Sequence, residues 1–185
     1  MNIDLIAGAR PNFIKIASII SAIDKSQSSL KYRLVHTGQH YDKNMSFSFF
    51  KQLEIPKPDI NLNVGSGTQA GQTSKIMQRY ESVLIKERTD LCVVVGDVNS
   101  TMACAIVAKK MNIKVAHVEA GIRSGDLSMP EEINRIITDS ITDYFFTTST
   151  TANENLIKSG VPEGKIFFVG NTMIDTLIKY KPFFK

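Results

Sequence analysis

LCVVVGDVNSTMACAIVAKKMNIKVAHVEA, residues 91–120, decides the fold. Two short apolar runs, LCVVV and KVAHV, flank a segment with helical spacing near 100–111. A strand with one face in water alternates apolar and polar residues, whereas a strand that is apolar almost throughout is covered on both faces, the habit of parallel strands joined by helices. The same alternation extends in both directions. Upstream lie NIDLIAG with a helix near 11–25 and KYRLVHT with SFSFFKQLE; downstream lie PEEINRIITDSITD, YFFTTS, a helix near 150–159, KIFFVG and TMIDTLIKY. The expected fold is α/β: a Rossmann-like parallel sheet with helices on both faces. IPKPDINLNVGSGT, residues 55–68, is the one long irregular connection, with a brief strand at INLNV.

The 185 residues are enough for one well-buried domain and few for two, so residues 1–185 are expected to fold as one unit. The composition, 43% hydrophobic and 22% charged, is that of an ordinary globular chain and argues against disorder. The N-terminal MNIDLIAGAR lacks a basic start followed by a long apolar run, and no later stretch approaches the roughly 20 apolar residues of a membrane helix, so a cytoplasmic location without membrane contact is expected. Cys92 and Cys104 stand in a strand-like and a helix-like run with no neighbouring Cys/His set, and are expected to be reduced core thiols rather than a disulfide or a metal site. The net charge is +4, but Lys and Arg are scattered, which fits a small anionic ligand better than nucleic acid. The last residues, KYKPFFK, stop in mid-pattern, which raises the expectation of a chain that continues.

Ligands of open α/β sheets bind at the carboxyl ends of the strands, where loops meet helix N-termini. Four such loops carry candidate chemistry. In GARPNFIK, Arg10 and Lys15 flank a helix start opened by Pro11; they suit a phosphate or carboxylate, or simply face solvent around a buried stripe of Phe13, Ile16, Ala17, Ile20 and Ile23. The absence of GxGxxG excludes the usual dinucleotide fingerprint. In HTGQHYDKNM, His36, Gln39, His40 and Tyr41 suit sugar or base contacts without specifying a reaction. In VVVGDVNST, Ser100 and Thr101 read as ordinary helix caps, while Asp97, just after a buried strand and a glycine, points into the crevice and could orient an arginine or transfer a proton. In HVEAGIRSGDLSMPEEINR, Ser128 and Glu131 fit a capping box, Glu131 and Arg135 an i,i+4 pair, and Ile133, Ile136, Ile137 and Ile141 a buried stripe. Glu119, at a strand end beside a glycine and close to Arg123, is the carboxylate such a structural account explains least.

GARPNFIK, HTGQHYDKNMS, GDVNSTMA, HVEAGIRSGDLSMPEEINR and FVGNTMIDTL, in this order and spacing, resemble the UDP-N-acetylglucosamine 2-epimerase family, most specifically in HVEAG and PEEINR. The resemblance is to the N-terminal half of that family, whose members have two Rossmann-like domains of the glycosyltransferase-B type with the active site between them. It implies interconversion of UDP-N-acetylglucosamine and UDP-N-acetylmannosamine without cofactor or metal, by elimination of UDP to a 2-acetamidoglucal and re-addition with inverted configuration at C2. It further implies Asp97, Glu119 and Glu131 as acid/base residues and Arg10 and Lys15 at the anionic side of the ligand, while the family's essential histidine and most of its grip on UDP belong to the second domain. Gln39, His40, Arg123 and Arg135 complete the candidates for substrate binding, and a homodimer is expected of the full-length protein. Where many bacterial members have GTRPE and QHREML this chain has GARPN and QHYDKNM; the second motif helps form an allosteric UDP-N-acetylglucosamine site in some members, and the departure leaves allosteric control an open question. GARPN and HTGQHYDKNMS also resemble the branch acting on UDP-2,3-diacetamido-2,3-dideoxy-glucuronic acid. Open alternatives are that substrate, a hydrolysing 2-epimerase, a glycosyltransferase of the same architecture, and a non-catalytic nucleotide-binding module.

Overall fold

A computed structural model describes residues 1–26, 29–39, 50 and 52–181. Its elements run β1 (Asn2–Ala7), α1 (Arg10–Lys25), β2 (Lys31–His36), β3 (Ile60–Asn61), α2 (Gln69–Lys86), β4 (Leu91–Val95), α3 (Asn99–Lys110), β5 (Lys114–Val118), α4 (Pro130–Ile141), β6 (Tyr144–Thr147), α5 (Thr150–Lys158), a short 3-10 turn (Glu163–Lys165), β7 (Ile166–Phe168) and α6 (Thr172–Tyr180). The expected alternation is present, apart from SFSFFKQLE, most of which lies outside the described residues. α2 is an addition to it. Thr68 caps α2 by accepting the Gly71 amide, and Gln72, Ile76, Tyr80 and Leu84 form its buried stripe at every fourth residue.

The seven strands pair in parallel in the order β3-β2-β1-β4-β5-β6-β7. From β1 the chain builds outward through β2 to β3, then returns to β4 and builds in the opposite direction. The reversal leaves a crevice between the carboxyl ends of β1 and β4, the switch point of a doubly wound sheet. β4 shows why the strands are apolar throughout. Cys92 and Val94 face one core with Ile76, Tyr80 and Cys104, while Val93 and Val95 face another with Phe13, Ile16 and Ile20. Both cysteines are buried and unoxidised, with burial raising their thiols, Cys92 to about 12. α6 lies on α1, where Thr176 Oγ1 donates to the Ile14 carbonyl at 2.8 Å. Among the described residues no helix is long and apolar enough to cross a membrane.

α4 turns a different face inward from the one its isoleucines suggest. Ile133 and Ile136 are 44% and 40% exposed, whereas Glu132, Asn134, Thr138 and Asp139 are buried. The helix carries two stripes at helical spacing, one apolar and one polar. The polar one wins the interior because each of its members reaches a bonding partner there, which removes the cost of burying it. The expected capping box is also not formed. Met129 is the cap and makes no side-chain bond, while Ser128 Oγ donates to Asp126 Oδ1 at 2.6 Å. The start of the helix is held by Glu132, whose carboxylate accepts the Ser124 and Gly125 amides at 3.0 and 3.1 Å.

Candidate active site

Asn12 ties the first loop into the crevice. Its Oδ1 accepts the Gly8 and Ala9 amides at 3.1 and 2.9 Å, and its Nδ2 donates to the Val95 carbonyl at 3.0 Å, joining the ends of β1 and β4 across the switch point. One turn further along α1, Lys15 is buried and forms an ion pair with Glu119. Glu119 follows β5 with φ 75°, a left-handed conformation that a glutamate rarely adopts. Gly96 roofs this pair. Its φ is 69°, the left-handed turn that favours glycine, and a Cβ there would lie 3.1 Å from Lys15 Nζ and 3.4 Å from Glu119 Oε2, close enough that the Lys15 side chain would have to give way slightly.

Asp97, the next residue, accepts from Arg135 on α4 at 3.1 Å (Nε) and 2.5 Å (Nη2). The third guanidinium nitrogen donates to Glu132 at 2.8 Å, so Arg135 bridges two carboxylates. Arg135 therefore pairs at i−3 with Glu132 rather than at i−4 with Glu131. Burial alone would raise the Glu132 carboxyl; the two loop amides and Arg135 outweigh it and hold it at about 2. Glu131 is half-buried and makes no side-chain hydrogen bond or ion pair among the described residues.

Several candidates turn out to brace the site internally. Gln39 is buried, and its Oε1 accepts from the amide and hydroxyl of Ser100 at 3.3 and 2.8 Å. Ser100 and Thr101 do not cap α3, which starts after Val98 without a side-chain cap; Ser100 Oγ meets Thr37 Oγ1 at 2.7 Å, and Thr101 Oγ1 donates to the Val95 carbonyl. Arg123 binds Asp139 at 2.6 Å on the side of α4 and α5, beside a cavity of about 520 Å³ lined by Ile136, Phe145, Leu156 and Lys165. Arg10 is exposed at the first position of α1. His36 is a core histidine packed 5.2 Å from Phe13, and burial lowers it to about 4. His40 and Tyr41 lie outside the described residues.

Residues to which the sequence reading gave no site role hold the frame. Asn134 donates to the Asp97 carbonyl, Asn99 donates to Gln69 and Gln72, and Gln72 donates to the carbonyls of Gln39 and Gly65. His117, fully buried, places Nε2 at 2.8 Å from the Gly96 carbonyl and Nδ1 at 2.7 Å from Asp139. Asp139 also accepts the Gly121 amide at 3.1 Å; burial would raise its carboxyl, but His117 and Arg123 outweigh that and lower it. The clue available in the sequence was polar residues at buried helix positions, 134, 138 and 139, spaced to face the strand ends. Among the described residues no group of three or more His, Cys, Asp or Glu could hold a metal ion.

Comparison with known proteins agrees with this frame. A family model described as UDP-N-acetylglucosamine 2-epimerase matches residues 22–185. The chain is 48% identical over 179 residues to the UDP-N-acetylglucosamine 2-epimerase of Methanocaldococcus jannaschii, covering 97% of this chain and 48% of that protein. It is 45% identical over 180 residues to the UDP-2,3-diacetamido-2,3-dideoxy-D-glucuronate 2-epimerase of Pseudomonas aeruginosa, covering 96% and 51%. The crystal structure of the M. jannaschii enzyme in complex with UDP-GlcNAc and UDP superposes with a TM-score of 0.95 at 46% identity, covering 99% of this chain and 50% of that one. The chain thus spans about half the length of the curated relatives it matches.

Proposed function

The chain belongs to the UDP-N-acetylglucosamine 2-epimerase family, and from that premise we propose that it is the carboxylate-bearing, N-terminal half of a UDP-sugar 2-epimerase. A second domain would close over the crevice, complete the grip on UDP and exclude water. The substrate read first is UDP-N-acetylglucosamine. The Pseudomonas relative, nearly as similar, supports UDP-2,3-diacetamido-2,3-dideoxy-D-glucuronate as the second reading.

The reaction needs a base at the weakly acidic C2 proton while the C1–O bond breaks and its electrons leave with UDP. The diphosphate oxygen then returns to C1 as a proton is delivered to C2 from the opposite face. Glu119, Asp97 and Glu131 are the groups assigned to these proton transfers. Lys15 fixes Glu119 and Arg135 fixes Asp97, so neither carboxylate must reorganise as charge moves. Arg10 and the N-terminus of α1 meet the charge growing on the diphosphate. We assign the protein to the cytoplasm, where nucleotide sugars are made, and to a homodimer, a reading supported by Leu127, Met129, Ile133 and Ile136 lying exposed together around α4.

The observation that carries the proposal is Glu119 held at positive φ against Lys15 beneath Gly96. A strained carboxylate at a switch point is the kind of geometry catalytic sites maintain. The test is C2 deuterium incorporation from heavy water by the protein at the full length of its relatives. Exchange with UDP-N-acetylglucosamine that vanishes in Glu119→Gln supports the reading. Exchange undiminished in that variant, or sugar transfer to an acceptor in its place, would overturn it.

A further inference from the structure

His117 and Asp139 make no side-chain hydrogen bond or ion pair with the Lys15–Glu119 pair or the Asp97–Arg135 pair, yet they meet the two loops that carry them. His117 Nε2 holds the carbonyl of Gly96, the residue between β4 and Asp97, and Nδ1 rests on Asp139 Oδ1. Asp139 Oδ2 takes the Gly121 amide, two residues beyond Glu119, and Arg123. Both loops leave the sheet through positive φ, at Gly96, Glu119 and Gly121, just after the last ladder bonds, from the Gly96 amide to the Val118 carbonyl and from the Glu119 and Ala120 amides to the Phe146 carbonyl. All of this is dry: His117 is 0% and Asp139 5% exposed. Such a chain costs free energy to desolvate unless every member is satisfied, and here each polar atom has a partner.

We propose that His117 is a positioning residue: from β5 its bond to the Gly96 carbonyl sets where Asp97 stands relative to Glu119, and Asp139 anchors its imidazole. The role rests on the epimerase reading for its catalytic consequence and on the geometry alone for its structural one. The relay has a direction. The bond from His117 to Gly96 sets Asp97, whereas the bond from His117 to Asp139 only anchors the imidazole, since Asp139 keeps Gly121 and Arg123 without it.

Two substitutions separate these bonds. The amide of His117→Gln reaches the position of Nε2 and can still donate to the Gly96 carbonyl. The shorter His117→Asn reaches that of Nδ1, keeps Asp139 and loses Gly96. Each variant breaks one buried hydrogen bond, so a merely structural role would make them alike. The relay predicts that in the full-length protein His117→Asn loses on the order of a hundredfold in kcat with KM little changed, and that His117→Gln retains most of its turnover. Amide NMR of the 185-residue chain gives the second readout: the Gly96 and Asp97 resonances move in His117→Asn and stay near their positions in His117→Gln. Equal effects of the two variants on both readouts overturn the relay. If the unsubstituted full-length protein gave no C2 exchange, the epimerase reading would fall, and the resonance comparison would still decide whether His117 sets the Gly96–Asp97 loop.

Discussion

Lys15 and Glu119 are 104 positions apart in sequence and form a part-buried ion pair at the switch point of the sheet, under a glycine whose Cβ would crowd Lys15. The pair converts a helix N-terminus on one side of the crevice and a strand end on the other into one rigid site. It also gives Lys15 a different task from the ligand contact that its sequence position suggests: it restrains the carboxylate.

Gly96→Ala should therefore damage the site and the fold together. The left-handed φ costs a residue with a side chain about 1–2 kcal/mol, and the methyl group would crowd Lys15 Nζ, 3.1 Å away, beside its bond to Glu119. Chemical denaturation is expected to show that loss, and C2 exchange by the full-length protein should fall further than the stability change explains.

Asp97→Asn keeps the volume of the side chain but weakens its charge-assisted bonds to Arg135. Melting is expected to change by less than about 1 kcal/mol, because Glu132 still holds Arg135. C2 exchange should drop roughly a hundredfold or more. Near-normal turnover would remove Asp97 from the chemistry.

Glu131 and Glu132 should behave oppositely. Glu132→Gln weakens bonds to Ser124, Gly125 and Arg135 in a buried place and should cost about 1–3 kcal/mol of stability. Glu131→Gln should leave the melting temperature unchanged and reduce turnover roughly a hundredfold or more. A fully active Glu131→Gln enzyme would return that residue to the helix start alone.

Acid should weaken the fold in two ranges. His36, lowered from 6.5 to about 4, binds its proton more readily unfolded, so its contribution is complete above the unfolded value and is lost as pH falls toward 4. Glu132, lowered from 4.5 to about 2, acts with the same sign between those values. His36→Phe, packed beside Phe13, should flatten the stability profile of the chain between pH 6.5 and 4, an effect on the order of 3 kcal/mol at most. An unchanged slope would mean that His36 is charged in the fold.

The 185-residue chain by itself should bind UDP-N-acetylglucosamine no better than roughly the millimolar range, about −4 kcal/mol, because it leaves the nucleotide largely in solvent. Calorimetric titration and an NMR assay for C2 exchange check this. Micromolar binding or steady turnover would require a complete site within these residues.

The sequence by itself determined the strands, most of the helices and the loops that carry the candidate site. Strand runs such as LCVVV and KVAHV and the helical spacing of α1 are local patterns, and a parallel sheet sends its carboxyl ends to one edge whatever their order. α2 was legible too, in Thr68 followed by Gln72, Ile76, Tyr80 and Leu84, but only four inward residues on a long polar helix made a faint stripe. Only the tertiary structure decided what each polar residue does. α4 has both an apolar and a polar face at the same period, and the choice between them depended on Asp97, Ser124, Gly125, Gly121 and His117 supplying partners for Arg135, Glu132 and Asp139. Those partners lie up to 38 positions away, where no local pattern reaches. A buried polar group is stable only where a partner meets it within about 3 Å, and that distance exists only once the sheet has brought the loops together.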